Sequence, residues 1–313
     1  MNDRQTDRAD RTDGTDQTDG TDRTGRGTVL VTGAAGGIGR FVVRALTGAG
    51  YRVVGADRER GAADDGCARF VTGDLADAAT VTACFTAAAE EAGPAGLAGV
   101  VHLAAYPAPG IVAEDETLRA NVLAAYLVFQ EAGRRGVRRI VAASSASAVG
   151  LAWADRELHP VYVPVDEDHP DLTVDSYGLS KVMTEQAAAF TTRRWGTDTV
   201  LLRFPFVGAG ARLRARLDEV HADPGGNSKE LWGWLHTEDA ARSVLAALTA
   251  ELSGHHVVNI CAPDSAALEP SLDLLSAYHP DTEVREGFGG HDTFFDTRRS
   301  RELLGFVPSR TWR

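Results

Sequence analysis

Thr28-Val29-Leu30-Val31-Thr32-Gly33-Ala34-Ala35-Gly36-Gly37-Ile38-Gly39 is the stretch on which the fold of this chain turns. Its first five residues are a short apolar run rich in β-branched side chains, the pattern of a buried strand. An apolar-periodic helix follows the glycines, carrying Phe41, Val42, Ala45 and Leu46. Strand, glycine turn and helix in that order make the phosphate corner of a dinucleotide site. Gly33 permits the tight turn, Gly36 lets backbone approach a pyrophosphate, and Gly39 lets the helix lie close to the strand. Gly37 and Ile38 complete the turn, and the helix end offers free N–H groups and a positive dipole to the phosphates. A second strand, from Tyr51 to Ala56, ends at Asp57. An acid there accepts hydrogen bonds from both adenosine ribose hydroxyls and repels a 2′-phosphate, which favours NAD over NADP. The adjacent Arg58 softens that discrimination.

Outward from this corner, apolar runs and helical stretches alternate. Strands are expected near 28–32, 51–56, 68–72, 98–102, 137–143 and 198–203, and helices near 37–49, 77–92, 112–135 and 175–196. Such alternation predicts an α/β fold, a Rossmann-type doubly wound parallel sheet, with a small C-terminal substrate-binding region. We expect a disordered tail over 1–27, an NAD-binding domain over 28–203, and a substrate-binding region over 204–313 that partly returns to the main sheet. The tail is a repeat of Thr-Asp and Asp-Gly whose only apolar side chains are Met1 and Ala9, so it cannot bury enough surface to offset its chain entropy. Ligands of such sheets bind at the carboxyl ends of the strands, where Gly33, Asp57, His102 and Ser145 all fall.

Ser176-Tyr177-Gly178-Leu179-Ser180-Lys181 sets a phenol and an ammonium one helical turn apart, on one face. A tyrosine ionises near pH 10, and a neighbouring cation stabilises its phenolate. So tuned, Tyr177 can exchange a proton with a hydroxyl or carbonyl while a hydride moves elsewhere. The spacing alone is common on solvated helix faces, so its weight comes from what surrounds it.

From Thr28 to the C-terminus the chain resembles the extended short-chain dehydrogenase/reductase family, the NAD-dependent epimerase/dehydratase group. Gly33, Gly36 and Gly39 match its glycine motif, and Gly73-Asp74-Leu75 resembles the segment after its third strand, whose Asp contacts the adenine amino group. His102-Leu103-Ala104-Ala105 is similar to its H-x-A-A segment, whose backbone borders the cofactor. Asn121, opening the helical run with Val122 and Leu123, matches an Asn near the family's active site. Ser144-Ser145-Ala146-Ser147-Ala148-Val149-Gly150 resembles its S-S-x-x-x-Y-G motif, with Val149 where the family has Tyr. Counting back from Gly150 gives Ser145 the catalytic place, with Ser144 and Ser147 as rivals. The resemblance implies that Ser145 orients the substrate oxygen, Tyr177 is the general acid or base, Lys181 tunes it and holds the nicotinamide ribose, and Asn121 supports the lysine or its water. It also implies a homodimer formed through the helices near 112–135 and 175–196.

Bulk properties bound the rest. A formal net charge of −12 argues against nucleic acid or an anionic membrane as partner. No apolar run is long enough to span a bilayer. Three scattered cysteines, Cys67, Cys84 and Cys261, read as buried thiols of a cytoplasmic protein. His159, His169 and His255-His256 lack metal spacing and are expected in surface, capping or strand positions, and Asp166-Glu167-Asp168 is expected to face solvent. Trp232 and Trp234 are expected either to floor a ligand or to pack in a core. Phe206 replaces the Asn that contacts a nucleotide-sugar in the resembling family, and one of Arg212, Arg214 and Arg216 either binds a carboxylate or lies on a solvated helix face. These departures point to a free sugar or sugar acid as substrate. An epimerase or dehydratase on an activated sugar, and a non-catalytic nucleotide sensor, are the competing readings.

Overall fold

The computed structural model describes residues 25–61 and 66–313. Most of the expected tail, residues 1–24, therefore lies outside the described residues. At its end Arg26 already donates to the Gly50 carbonyl at 3.2 Å, and the Gly27 carbonyl accepts from Arg52, so order begins ahead of residue 28.

The chain runs β1 (Thr28–Thr32), α1 (Gly39–Gly48), β2 (Arg52–Asp57), β3 (Arg69–Thr72), α2 (Ala78–Ala92), β4 (Leu97–His102), α3 (Glu114–Arg134) and β5 (Arg139–Ser145). It continues through β6 (Tyr162–Val163), α4 (Ser176–Trp195), β7 (Asp198–Phe204), β8 (Phe206–Gly208), α5 (Gly210–Ala222), β9 (Trp234–His236) and α6 (Thr237–Thr249). Last come β10 (His255–Asn259), α7 (Ser271–Tyr278), β11 (Glu283–Val284) and α8 (Arg298–Leu304). Seven parallel strands form one sheet in the order β3-β2-β1-β4-β5-β7-β10.

Alternating strand residues feed two cores. Val29 and Val31 of β1 pack with Val42, Leu46, Val244 and Leu304 on the α1, α6 and α8 face. Leu30, between them, packs with Phe85, Val128, Phe129 and Ala188 on the α2, α3 and α4 face. A strand buried on both faces reads as a continuous apolar run, as Thr28–Thr32 does. The chain reverses strand order at β1, sending β2 and β3 to one side and β4 to the other. The crevice that opens beyond their carboxyl ends is where an open α/β sheet binds its ligand.

The C-terminal region is shared between the main sheet and a separate core. Strand β10 joins the main sheet, and α6 and α8 cover it. A third core gathers Trp232, Trp234, Leu274, Phe294 and Phe295, and Val149, Leu151 and Val163 from the chain after β5 pack into it. Two small parallel pairs, β6 with β11 and β8 with β9, tie this region together.

Candidate active site

A cleft with two lobes lies over the carboxyl ends of the strands. The larger, of about 790 Å³, is lined by Gly37, Ser145, Tyr177, Lys181, Phe206 and Arg212 among others. The smaller, of about 270 Å³, is lined by Asp57, Asp74, Leu75, Ala104 and Asn121. Gly33, Gly36, Leu103, Ala105 and Pro107 border both lobes, so the glycine turn is the neck between them.

The neck is built by close backbone approach. Gly33 has φ of 70°, and a Cβ there would lie 2.6 Å from the Ala104 nitrogen. A Cβ on Gly39 would lie 2.0 Å from the Gly33 carbonyl oxygen, closer than any side chain tolerates. Ile38 caps α1 without a side-chain hydrogen bond; the Arg40 and Phe41 amides turn to the Gly36 and Ile38 carbonyls, which leaves the Ile38 and Gly39 N–H groups to a ligand. Ile38 and Gly39 both border the larger lobe.

In the smaller lobe the Asp57 carboxylate accepts from the Ala35 and Arg58 amides at 3.0 and 2.8 Å, which fixes it at the end of β2. The Arg58 guanidinium turns away from it, lying 4.3 Å over the Tyr106 ring and donating to the Tyr106 hydroxyl. Asp74 accepts from the Ala76 amide at 2.9 Å, and Leu75 is buried beside it. An uncapped helix start, a glycine neck and an acid at the end of β2 suit the pyrophosphate and ribose of a dinucleotide laid across both lobes. The residues present therefore fit NAD.

Asn121 lies in the middle of α3, not at the start of a helical run. Its carbonyl oxygen accepts from the Tyr106 amide at 2.8 Å. Its amide nitrogen donates to the Tyr106 carbonyl and to Ser180 Oγ, both at 3.1 Å. The side chain thus ties the loop after β4 to α4 between Tyr177 and Lys181, and it makes no hydrogen bond to Lys181.

The serines after β5 separate by face. Ser144 Oγ donates to Glu185 at 2.6 Å. Ser145 Oγ accepts from the Ser147 amide at 3.0 Å, and its hydroxyl is close enough to the Tyr177 phenol to oppose the rise of its pKa. Of the rival serines, Ser145 is the one whose hydroxyl meets the tyrosine.

Asp175 caps α4 through the Gly178 amide at 2.7 Å, and the helix carries Tyr177 and Lys181 into the larger lobe. Lys181 Nζ lies 5.6 Å from the Tyr177 ring centroid and donates to the Ala143 carbonyl at 3.0 Å. Burial pushes the phenol up to about 12, with Ser145 opposing the rise and Asp175 adding to it. Burial also pulls Lys181 down to about 8, while Glu185 one turn along pushes it back. The expected lowering of Tyr177 by its lysine is thus outweighed, because desolvation disfavours both charged forms. Glu185 is itself held by Arg203 through two bonds of 2.8 Å. Below the pair, His102 bonds Thr32 Oγ1 at 2.8 Å and is driven to about 3 by burial and then by Lys181, so it stays neutral.

Some open readings are decided and some expectations corrected. Trp232 and Trp234 are fully buried, with their indole N–H groups on the Pro224 and Asp264 carbonyls at 2.7 and 3.0 Å. They pack a core and floor no ligand; Trp153, 41% exposed, borders the larger lobe instead. His169 is buried and accepts from the Val161 amide at 2.9 Å. Glu167 is buried too, accepting from the Asn259 amide at 2.7 Å and pairing with Arg299, and Asp166 bonds Tyr162 and Arg285. Of that acidic run only Asp168 faces solvent. Among the described residues no cluster of three metal-ligating side chains occurs, and no helix is long and apolar enough to cross a membrane.

Comparison with known proteins agrees with this geometry. The chain is 28% identical over 200 residues to a UDP-glucose 4-epimerase of Halalkalibacterium halodurans, covering 62% of this chain and 54% of that one. It is 30% identical over 179 residues to a uronate dehydrogenase of Pseudomonas putida, covering 56% and 59%. The chain thus spans little more than half the length of these relatives. A short-chain dehydrogenase/reductase superfamily protein of Agrobacterium tumefaciens, solved with bound NAD, shares the fold. Its TM-score is 0.67 at 24% identity, over 91% of this chain and 93% of that one. Residues 29–261 match the sequence profile of the NAD dependent epimerase/dehydratase family, and the chain belongs to that family.

Proposed function

We propose that the protein is an NAD-dependent oxidoreductase acting on a hydroxyl or carbonyl of a sugar or sugar-acid-like small molecule. The observation that carries the reading is the meeting of the glycine neck with Ser145, Tyr177 and Lys181 in one lobe. NAD, when bound, supplies the hydride acceptor. Ser145 orients the substrate oxygen, and Tyr177 takes its proton in oxidation or returns it in reduction. Lys181 holds positive charge beside the phenol, and Asn121 positions α4 through Ser180. Phe206 stands in the larger lobe with Arg212 and Arg216 at 4.9 and 4.5 Å from its ring, which favours a compact substrate over a nucleotide-sugar.

The test incubates the protein with NAD and a panel of free sugars, uronates and nucleotide-sugars while following nicotinamide absorbance. Net NADH formation with a free sugar or uronate is expected. Interconversion of a nucleotide-sugar without net NADH would overturn this reading in favour of an epimerase, the activity named for the Halalkalibacterium relative.

A second copy of the chain is the proposed partner. The outer face of α3 and α4 exposes Tyr126, Leu179, Met183 and Phe190, with the Tyr126 and Phe190 rings stacked at 6.5 Å. Apolar rings grouped on one exposed surface favour association. The dimer should sediment at twice the 33.2 kDa chain mass, and Phe190→Glu should give a folded monomer. A wild-type monomer would end the proposal. Cys84 and Cys261 are buried thiols in no disulfide, which supports a cytoplasmic location.

A further inference from the structure

Lys181 and Lys229 are the two lysines of the sequence, and Lys181 is the buried one. An ammonium in a dry site gives up its proton unless a charge nearby holds it. The phenol beside Lys181 carries no charge until it ionises, and His102 stays neutral. The counter-charge comes from Glu185, which belongs to none of the motifs read from the sequence.

Glu185 follows Tyr177 and Lys181 at the same spacing, so the three fall on one face of α4 over successive turns. Each of them meets one of three consecutive residues at the end of β5. Tyr177 faces Ser145, Lys181 donates to the Ala143 carbonyl at 3.0 Å, and Glu185 accepts from Ser144 at 2.6 Å. Ser144 follows Ile140 and Ala142 on the α4 face of its strand. Its register partner on β7 is Arg203, which follows Leu201 on the same face and donates to both oxygens of Glu185 at 2.8 Å. Two neighbouring strands thus grip one buried carboxylate.

A buried arginine–glutamate pair by itself stabilises a fold little more than apolar residues of the same volume would. This pair also sets a fixed negative charge one helical turn from the lysine, which apolar residues could not do. Tyr177 and Glu185 face Lys181 from its own helix and His102 faces it from β4, while Arg203 on β7 and His255 on β10 face Glu185. Of these groups Glu185 is the one acid. It borders neither lobe of the cleft, so it acts through Lys181 and not on a ligand.

We propose that Glu185 is a positioning residue for the reaction: clamped by Ser144 and Arg203, its carboxylate keeps Lys181 a cation and seats it on the Ala143 carbonyl opposite the phenol. This rests on the reading of Tyr177 and Lys181 as the proton-handling pair. It assigns the ion pair on the far side of the lysine to chemistry as well as to packing.

Titrating Lys181 tests this directly. With isotope-labelled lysine and Lys229→Arg in the background, Lys181 gives the single lysine side-chain resonance, whose shift with pH reports its charge without requiring turnover. The midpoint should lie at about 8 with Glu185 present, and about one pH unit or more lower in Glu185→Gln, the change expected when an opposite charge is removed. Oxidative kcat should follow it. At pH 8 that drop leaves about a tenth of the lysines charged instead of half, so Glu185→Gln should lose about fivefold or more, whereas near pH 6 it should turn over like its parent. Leaving Arg203 without its partner destabilises the fold. Glu185→Gln combined with Arg203→Gln removes both buried charges, and it should lower the midpoint in the same direction. A midpoint that stays in place in both variants, or a loss of kcat equal at the two pH values, would overturn the proposal. A lowered midpoint in a protein that forms no NADH would retain the hold of Glu185 on Lys181 and count against the oxidoreductase reading instead.

Discussion

Tyr177→Phe is expected to cut turnover about 10²–10⁴-fold while leaving NAD affinity within about twofold, since a positioned acid–base group contributes that much. The ring is 7% exposed and phenylalanine fills the same space, so the substitution opens no cavity. It deletes the oxygen that faces Ser145 and exchanges the substrate proton. Loss of one polar contact costs about 1 kcal/mol, too little to unfold the protein. In wild type, oxidation needs the phenolate, and burial holds the phenol up to about 12. Oxidative kcat should therefore climb as pH rises toward that value, and the residual rate of the variant should lack the climb. Fluorescence titration with NAD and steady-state kinetics across pH check both parts. Normal turnover by the variant would remove Tyr177 from the chemistry.

Much of this site was legible because its residues obey local rules. The glycines after β1 are dictated by backbone approach, as the collision of a Gly39 Cβ with the Gly33 carbonyl shows. The placing of Tyr177 and Lys181 on one face follows from helix geometry alone. What the sequence concealed depends on partners distant in the chain. Glu167 and His169 look solvated in a proline-rich acidic loop, yet Asn259 and Arg299 meet the first and the Val161 amide meets the second. Strand pairs as short as β6 with β11 carry no periodicity, since their register is set by the core around Trp232 and Phe294. The fate of Trp232 and Trp234 was undecidable for the same reason.

Lys181→Met is expected to separate stability from activity. Lys181 is 5% exposed, and burial lowers its ammonium from 10.5 to about 8. The groups facing it are Tyr177 and Glu185 on its own helix, His102 on β4, and Arg203 on β7 behind Glu185. Because the folded pKa lies below the unfolded one, the unfolded chain binds more protons between about pH 8 and 10.5. Stability from this group therefore rises with pH across that window. Below it, the buried charge costs the fold on the order of 3 kcal/mol. Methionine removes the cost and leaves the Ala143 carbonyl without its donor, a loss of about 1 kcal/mol. The NAD-free variant should thus be more stable than wild type at pH 7 by about 2 kcal/mol, several degrees in Tm, with the gap closing as pH rises past 8. Its turnover should fall at least about a hundredfold, because no cation then faces the phenol. Such an exchange of stability for function is what a charge kept in a dry site for chemistry produces. Urea unfolding at pH 7 and pH 10 measures the two limits. A variant less stable than wild type at both would show that Lys181 is held in place for the fold rather than for the reaction.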